Sequence, residues 1–298
     1  MSINPSHISG KEALKEVAGA LLAPYQTRFN RVVETYFAGL QEKSALAEAC
    51  QYAMSVGGKR FRPALVWMVA DTIQPNANVD LAALAVEFFH NSSLVSDDLP
   101  CMDNDSFRRG KPTTHVVYSE SIALLASFAL TAAGFEVITQ IPLPEDRAYN
   151  VLRIAVTKAS QAVGLPGIVG GQYLDLYPKQ LDRAGIYEII DRKTGALFEI
   201  SLLFGWLFAG GSFDRIDEVS AFARHFGRAF QVVDDIDDME QDAASGKKIN
   251  FALAFGKEEA SQAVLFHVAK SLEIAEGLRL TASPLVTLIR SFRAAVTI

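Results

Sequence analysis

This 298-residue chain has few cysteines, no block of single-sign charge and no sustained strand-type alternation. Cys50 and Cys101 are its two cysteines, and they lack any metal-ligand spacing. They fit a reduced interior better than a disulfide framework. The net charge is −6, spread without long runs, which excludes the basic footprint of a nucleic-acid surface. The N-terminus shows neither a basic region followed by an apolar core nor Arg-rich transit character. The longest apolar runs, residues 122–135 and 200–211, fall short of the roughly 20 residues that a spanning helix requires. A soluble, cytoplasmic chain without a transmembrane segment is expected. Repeats and low-complexity segments are absent.

What is present is apolar, half of all residues, enough for a sizeable core. Residues 12–41 carry Leu14, Val17, Leu21 and Leu22, then Phe29, Val32, Val33 and Phe37, at helical spacing, and Pro24 predicts a break between two helices. Residues 46–56 read as a helix stopped by Gly57-Gly58, and residues 64–73 as the next. Residues 121–138 and 148–163 follow, with Pro142 and Pro144 between them. Residues 186–208 read as one long helix, and 219–233 as another. The expected architecture is all-α, with roughly ten or more helices, most of them apolar on more than one face.

Charge concentrates in two places. Asp97, Asp98, Asp103 and Asp105 lie within nine residues, followed by Arg108, Arg109 and Lys111. Close carboxylates repel or raise each other's pKa, and hard divalent cations are the usual remedy. Asp97 and Asp103, six apart, do not share a face of a straight helix, and Pro100 loosens any helix there. Asp97 and Asp98 should therefore end a helix, with a break carrying Asp103 back. In the second cluster, Asp234 and Asp238 are four apart and share a helix face beside Asp235. Two such clusters, each ending an apolar helix, suggest a bundle with carboxylates facing across its mouth, where Mg²⁺ would grip a diphosphate. Gly57-Gly58 ahead of Lys59, Arg60 and Arg62 reads as an anion site.

Five stretches carry a resemblance: GGKRFRP at residues 57–63, DDLPCMDNDSFRRGKPTTH at 97–115, GIVGGQYLDL at 167–176, KTGALF at 193–198 and FQVVDDIDD at 230–238. In this order, over about residues 53–255, they resemble the trans-isoprenyl (polyprenyl) diphosphate synthases, and within them the geranylgeranyl/farnesyl diphosphate synthases. The resemblance implies one isoprenoid synthase domain over residues 1–298, its helices around a central cavity, working as a homodimer. It implies head-to-tail condensation of isopentenyl diphosphate with an allylic diphosphate, with three Mg²⁺ ions when the diphosphate is bound. Lys59, Arg62 and His90, joined by Arg109, would bind isopentenyl diphosphate. Arg108, Lys193, Thr194, Gln231 and Lys248 would surround the allylic substrate. Asp97, Asp98, Asp103, Asp234 and Asp238 would hold metal, and Asp235 and Lys193 join the catalytic set. On the residue pattern alone, His90 reads as a core histidine and Gln231 as the cap of a buried polar gap.

The chain departs from the family pattern at Ser96 (commonly His), Phe128 (commonly Asp) and Asp191 (commonly His, near the Lys-Thr pair), and in a shorter loop after Asp238. Product length should depend on Ser92 and Ser93, small residues five and four before Asp97, with Phe88 and Phe89 one turn deeper. That open floor predicts geranylgeranyl diphosphate, with farnesyl diphosphate the alternative. A class I terpene cyclase would not need Lys59, Arg62 and His90. A non-catalytic regulatory subunit of a partner synthase commonly loses carboxylates from an acidic cluster, and both clusters are intact here.

Overall fold

The structure is a computed structural model; it describes residues 10–179, 181–245 and 249–296, with side chains from residue 14 onward and without that of Ser245. Its residues form two compact units, Leu22–Ser160 with Phe204–Gly210, and Gln161–Leu203 with Gly211–Ile298 and the residues before Leu22. The fold is all-α. Among the described residues the only sheet pairs β1 (Phe107–Arg108) with β2 (Lys111–Pro112).

The first unit is built from α1 (Gly10–Gly39, of which residues 22–39 belong here), α2 (Ala45–Ser55), α3 (Phe61–Ile73), α4 (Asp80–Asp97), α5 (Thr114–Val117), α6 (Glu120–Thr139) and most of α7 (Glu145–Val163). Ser44 caps α2 by accepting the Ala47 N–H, and Ser119 caps α6 by accepting that of Ile122. Helix α4 packs against α2, α3 and α6, which is why it is apolar nearly all round and why Phe88 and Phe89 are fully buried. Burying each such ring contributes about 2–3 kcal/mol. Small residues let α6 approach closely: the Ser127 hydroxyl donates to the Ser92 carbonyl at 2.9 Å, and Phe89 meets Phe135 edge-on at 5.0 Å.

Two sequence expectations change here. Pro24 does not divide α1, which is continuous from Gly10 to Gly39. The missing Pro24 N–H costs one helical bond, on the order of 3 kcal/mol with its steric clash. Against this, Tyr25 stacks on Trp67 at 6.1 Å, Phe29 meets the same indole at 6.4 Å, and Leu22 and Phe29 are buried. Packing on both sides of the proline outweighs the lost bond. The apolar run at residues 122–135 lies within α6, whose 20 residues make it long and apolar enough to cross a membrane by length and composition. The run looked too short because helix continues beyond both of its ends. One face of α6 packs on α4; the other exposes Leu124, Leu125 and Phe128.

The second unit contains α8 (Ile168–Leu176), α9 (Arg183–Ile189), a π-helical segment (Ile190–Gly195), α10 (Ala196–Phe208, of which residues 196–203 belong here), α11 (Ile216–Asp237), α12 (Met239–Ser245), α13 (Phe251–Phe255), α14 (Lys257–Gly277) and α15 (Pro284–Val296). Phe198, Phe226 and Phe292 form its aromatic centre, with ring centroids 5.2 and 5.6 Å apart. The predicted single helix over 186–208 is instead α9, the π segment and α10. The wider turn arises where α8 presses on the π segment: a Cβ on Gly171 would overlap the Lys193 backbone nitrogen. The π segment carries Lys193 and Thr194, the usual place for such a bulge being a functional site.

A half-buried polar chain runs through this unit to the buried His267. His225 Nδ1 and His267 Nδ1 are 2.8 Å apart, and His267 Nε2 lies 3.1 Å from the Tyr187 hydroxyl. Burial, then His225 and Arg228, push the His267 pKa down to about 3. An unfolded chain would protonate this ring near pH 6.5 while the folded one does not. Stability is therefore fully present above pH 6.5 and falls as pH drops from 6.5 towards 3, by about 1.4 kcal/mol per pH unit from this residue. Urea unfolding of wild type and His267→Gln between pH 7.5 and 4.5 checks this. The wild-type slope should be steeper by about that amount; equal slopes would refute it.

Candidate active site

In the first unit the sequence around Gly57 builds a tight basic turn, where the residue pattern places an anion site. Gly57 and Gly58 take φ of +90° and +118°, and Arg60 takes +50°, so the chain coils tightly before α3 begins at Phe61. A Cβ on Gly58 would overlap the Arg109 guanidinium, and glycine leaves that space open. Arg109 Nη1 donates to the Gly57 carbonyl at 2.5 Å. Arg62 Nη1 stands 3.3 Å from His90 Nε2 on α4. Burial, followed by Arg62, Arg109, Arg60 and Arg108, holds His90 well below the usual histidine range. Neutral His90 accepts from Arg62 at Nε2, leaving Nδ1–H as a donor. Burial also pulls Arg62 down to about 10. Lys59 is exposed beside them.

The acidic end of α4 follows the expected path. Asp97 is its last residue, and the Asp98 N–H closes on the Leu94 carbonyl. The Asp103 N–H then donates to the Asp97 carbonyl at 2.9 Å, with Asn104 in a left-handed conformation, so Asp103 does return to Asp97. Asp98 is buried and receives Arg108 Nε at 2.7 Å; burial raises its pKa, with Arg108 opposing. The register Arg108↔Lys111 leaves Arg109-Gly110 as the hairpin turn, both at positive φ, as a type I′ turn requires. Two adjacent arginines thereby part: Arg108 turns to Asp98, and Arg109 to the Gly57 carbonyl.

The second unit joins Lys193, Thr194 and Gln231. Thr194 donates to Gln231 Oε1 at 2.8 Å, and Gln231 Nε2 donates to Asp235 Oδ1 at 2.9 Å. Asp235 is buried; its other oxygen accepts the Phe251 N–H at 2.7 Å. Both oxygens of Asp235 are engaged inside the unit, whereas Asp234 is exposed and Asp238 half-exposed. Asn250 donates to the Asp235 carbonyl and to Asp242, both at 2.8 Å, while capping α13. Lys193 Nζ is paired with Asp175 on α8. Lys248 lies outside the described residues.

Residue types alone did not mark Asp175, Asn250 or the buried Arg60–Glu87 pair; Asp175 does lie in the motif at residues 167–176, three positions after Gln172. Among the described residues no three acidic, His or Cys side chains stand close enough to enclose a metal by themselves. Oxygen-only carboxylates at a helix end suit Mg²⁺, which keeps waters and takes substrate phosphate oxygens. The donor set fits that ion. Of the product-length candidates, Ser92 is buried against α6, Ser93 is half-exposed, and Phe89 packs on α6. Phe88 lines an apolar cavity of about 160 Å³ with Tyr36, Phe37, Cys50, Leu130 and Ala133.

The family model "Polyprenyl synthetase" matches residues 43–259. Geranylgeranyl pyrophosphate synthase 3, chloroplastic, of Arabidopsis thaliana is 39% identical over 247 residues, covering 80% of this chain and 68% of that protein. Farnesyl diphosphate synthase of Haemophilus influenzae is 38% identical over 244 residues, 79% of this chain and 81% of its own. The crystal structure of a geranyltransferase from Legionella pneumophila superposes with a TM-score of 0.78 at 27% identity, over 94% of this chain and 98% of that one. An FPP/GFPP synthase from Zymomonas mobilis gives 0.74 at 29% identity, over 95% and 99%. With five ordered motifs, an all-α fold and relatives on this scale, the chain belongs to the polyprenyl synthetase family of trans-isoprenyl diphosphate synthases and is a prenyltransferase.

Proposed function

We propose that this prenyltransferase is Mg²⁺-dependent and condenses isopentenyl diphosphate head-to-tail with allylic diphosphates, with geranylgeranyl diphosphate its main product and farnesyl diphosphate the alternative. The observation that carries the reading is the parting of Arg108 and Arg109 across one type I′ turn. It sets two cations apart, Arg108 beside the carboxylates at the end of α4 and Arg109 at the Gly57 turn, which supports a reading of two diphosphate sites, as two substrates require. Mg²⁺ on Asp97, Asp98 and Asp103, and on Asp234 and Asp238, three ions in all with the diphosphate bound, would neutralise that diphosphate and make it a better leaving group.

Arg108, Lys193, Thr194 and Gln231 then orient the allylic diphosphate, with Lys248 added to that set. Lys59, Arg62, Arg109 and the neutral His90 hold isopentenyl diphosphate by charge and by the His90 Nδ1–H. The allylic carbon–oxygen bond breaks, the isopentenyl double bond attacks that carbon, and the proton lost from the adjacent carbon leaves with the diphosphate. Residues 1–298 act as one synthase domain, in the cytoplasm. The exposed Leu124, Leu125 and Phe128 of α6 support a homodimer, since one copy leaves that apolar strip in water.

Purified protein incubated with isopentenyl diphosphate, Mg²⁺ and each allylic primer, with dephosphorylated products sized by gas chromatography–mass spectrometry, tests this. A dominant twenty-carbon alcohol is expected. Ser92→Phe should shorten the product to fifteen carbons, and an unchanged profile would remove Ser92 from the length argument. No product from any primer would favour a regulatory subunit.

A further inference from the structure

We infer that the buried ion pair between Arg60 and Glu87 positions the isopentenyl diphosphate site, by clamping Lys59 and Arg62 on either side of it and setting His90 against Arg62. The inference rests on the reading of Lys59, Arg62 and His90 proposed above. Arg60 lies between the two binding cations in sequence, yet its side chain turns inward. Arg60 Nη1 meets Glu87 Oε1 at 2.8 Å, with side chains only 4% and 2% exposed. Its Nη2 donates to the Met54 carbonyl on α2, and the guanidinium lies over the Phe29 ring of α1 at 5.0 Å. Gln26 of α1 adds a hydrogen bond to the Lys59 carbonyl at 3.1 Å. The loop ahead of α3 is thus tied to α1, α2 and α4 at once.

The tie has a direction. Arg60 holds a left-handed conformation (φ 50°, ψ 42°), which a non-glycine residue keeps only when its surroundings impose it. That turn leaves Lys59 exposed while Arg62 comes within 3.3 Å of His90. Glu87 is three residues before His90 on α4, so the one ion pair fixes the height of α3 against α4 at the level of the Arg62–His90 contact. Glu87 Oε2 is buried with no hydrogen-bond partner among the described residues, a cost that a purely structural pair would shed. Its charge also acts on Arg62 and Arg109. Glu87 therefore offsets the repulsion among three arginines until a diphosphate arrives.

Steady-state kinetics with each substrate varied in turn separates positioning from packing. Glu87→Gln should raise the KM for isopentenyl diphosphate at least tenfold, leave the KM for the allylic primer within twofold and kcat within about threefold. The double variant Arg60→Met/Glu87→Met replaces the pair with apolar side chains that can fill its space; the same selective rise is expected. A double variant with wild-type KM for isopentenyl diphosphate would reduce the pair to packing, and equal rises for both substrates would overturn positioning as well. Should these not fold, Glu87→Asp keeps the charge with a shorter reach; a three- to fivefold selective rise is expected, and none refutes the inference. Arg62→Ala runs in parallel. If it leaves the KM for isopentenyl diphosphate unchanged, the site assignment itself fails, and the inference with it.

Discussion

Asp97→Asn should lower kcat about a hundred- to a thousandfold with little change in stability. The size is that of removing one preorganised charge or donor at a centre where charge develops. The selectivity follows from placement. Asp97 ends α4 half-exposed, and its backbone carbonyl, not its carboxylate, receives the Asp103 N–H that closes the loop. That closing bond is therefore kept when the charge is removed. Asp98→Asn should differ, because Asp98 is buried against Arg108 and its substitution leaves that guanidinium underpaired. Single-turnover rates at saturating Mg²⁺, beside circular-dichroism melts, make the comparison. A loss of less than threefold at Asp97 would remove that carboxylate from the metal set.

Asp235→Ala should act chiefly on stability, by about 3 kcal/mol. It strips the acceptor from the buried Phe251 N–H and from Gln231 Nε2, each orphaned donor costing about 1–3 kcal/mol. In a chain of this size that is a fall in Tm of roughly 5 °C. A second effect travels through Gln231. Freed from Asp235, its amide can turn away from Thr194, and turnover should fall about tenfold. Asp235→Asn keeps one acceptor oxygen and should cost about half as much stability. Calorimetry of the three proteins is the check. A Tm for Asp235→Ala within 2 °C of wild type would show that the network carries no weight and return Asp235 to direct metal or substrate contact.

How much of this was legible from residues alone varies with how far apart the interacting groups lie. Gly57-Gly58 ended α2 as read, because positive φ is a property of the glycine itself. The end of α4 at Asp97 and the return of Asp103 were also legible, since proline and six-residue spacing act within two turns. Amphipathic periods gave the all-α class, and ordered motifs gave the family.

The failures share a different character. Pro24 read as a break, but Trp67, forty-three positions on, supplies the packing that carries α1 through it. Residues 186–208 read as a uniform helix, but the close approach of α8 at Gly171 accompanies a π turn at Lys193. On the residue pattern Arg108 and Arg109 form one basic run; the resemblance divided them between two substrates, and the hairpin register is what sends them to different partners in the fold. Asp235 read as one carboxylate among several; contacts with Phe251 and Gln231 turn it inward. By itself the sequence determined where helices form and which chemistry is present, because propensity, capping and charge act over a few residues. Tertiary structure alone decided which of those charges are available to a substrate and which are spent holding the fold, because each side chain's partners are brought to it from distant parts of the chain.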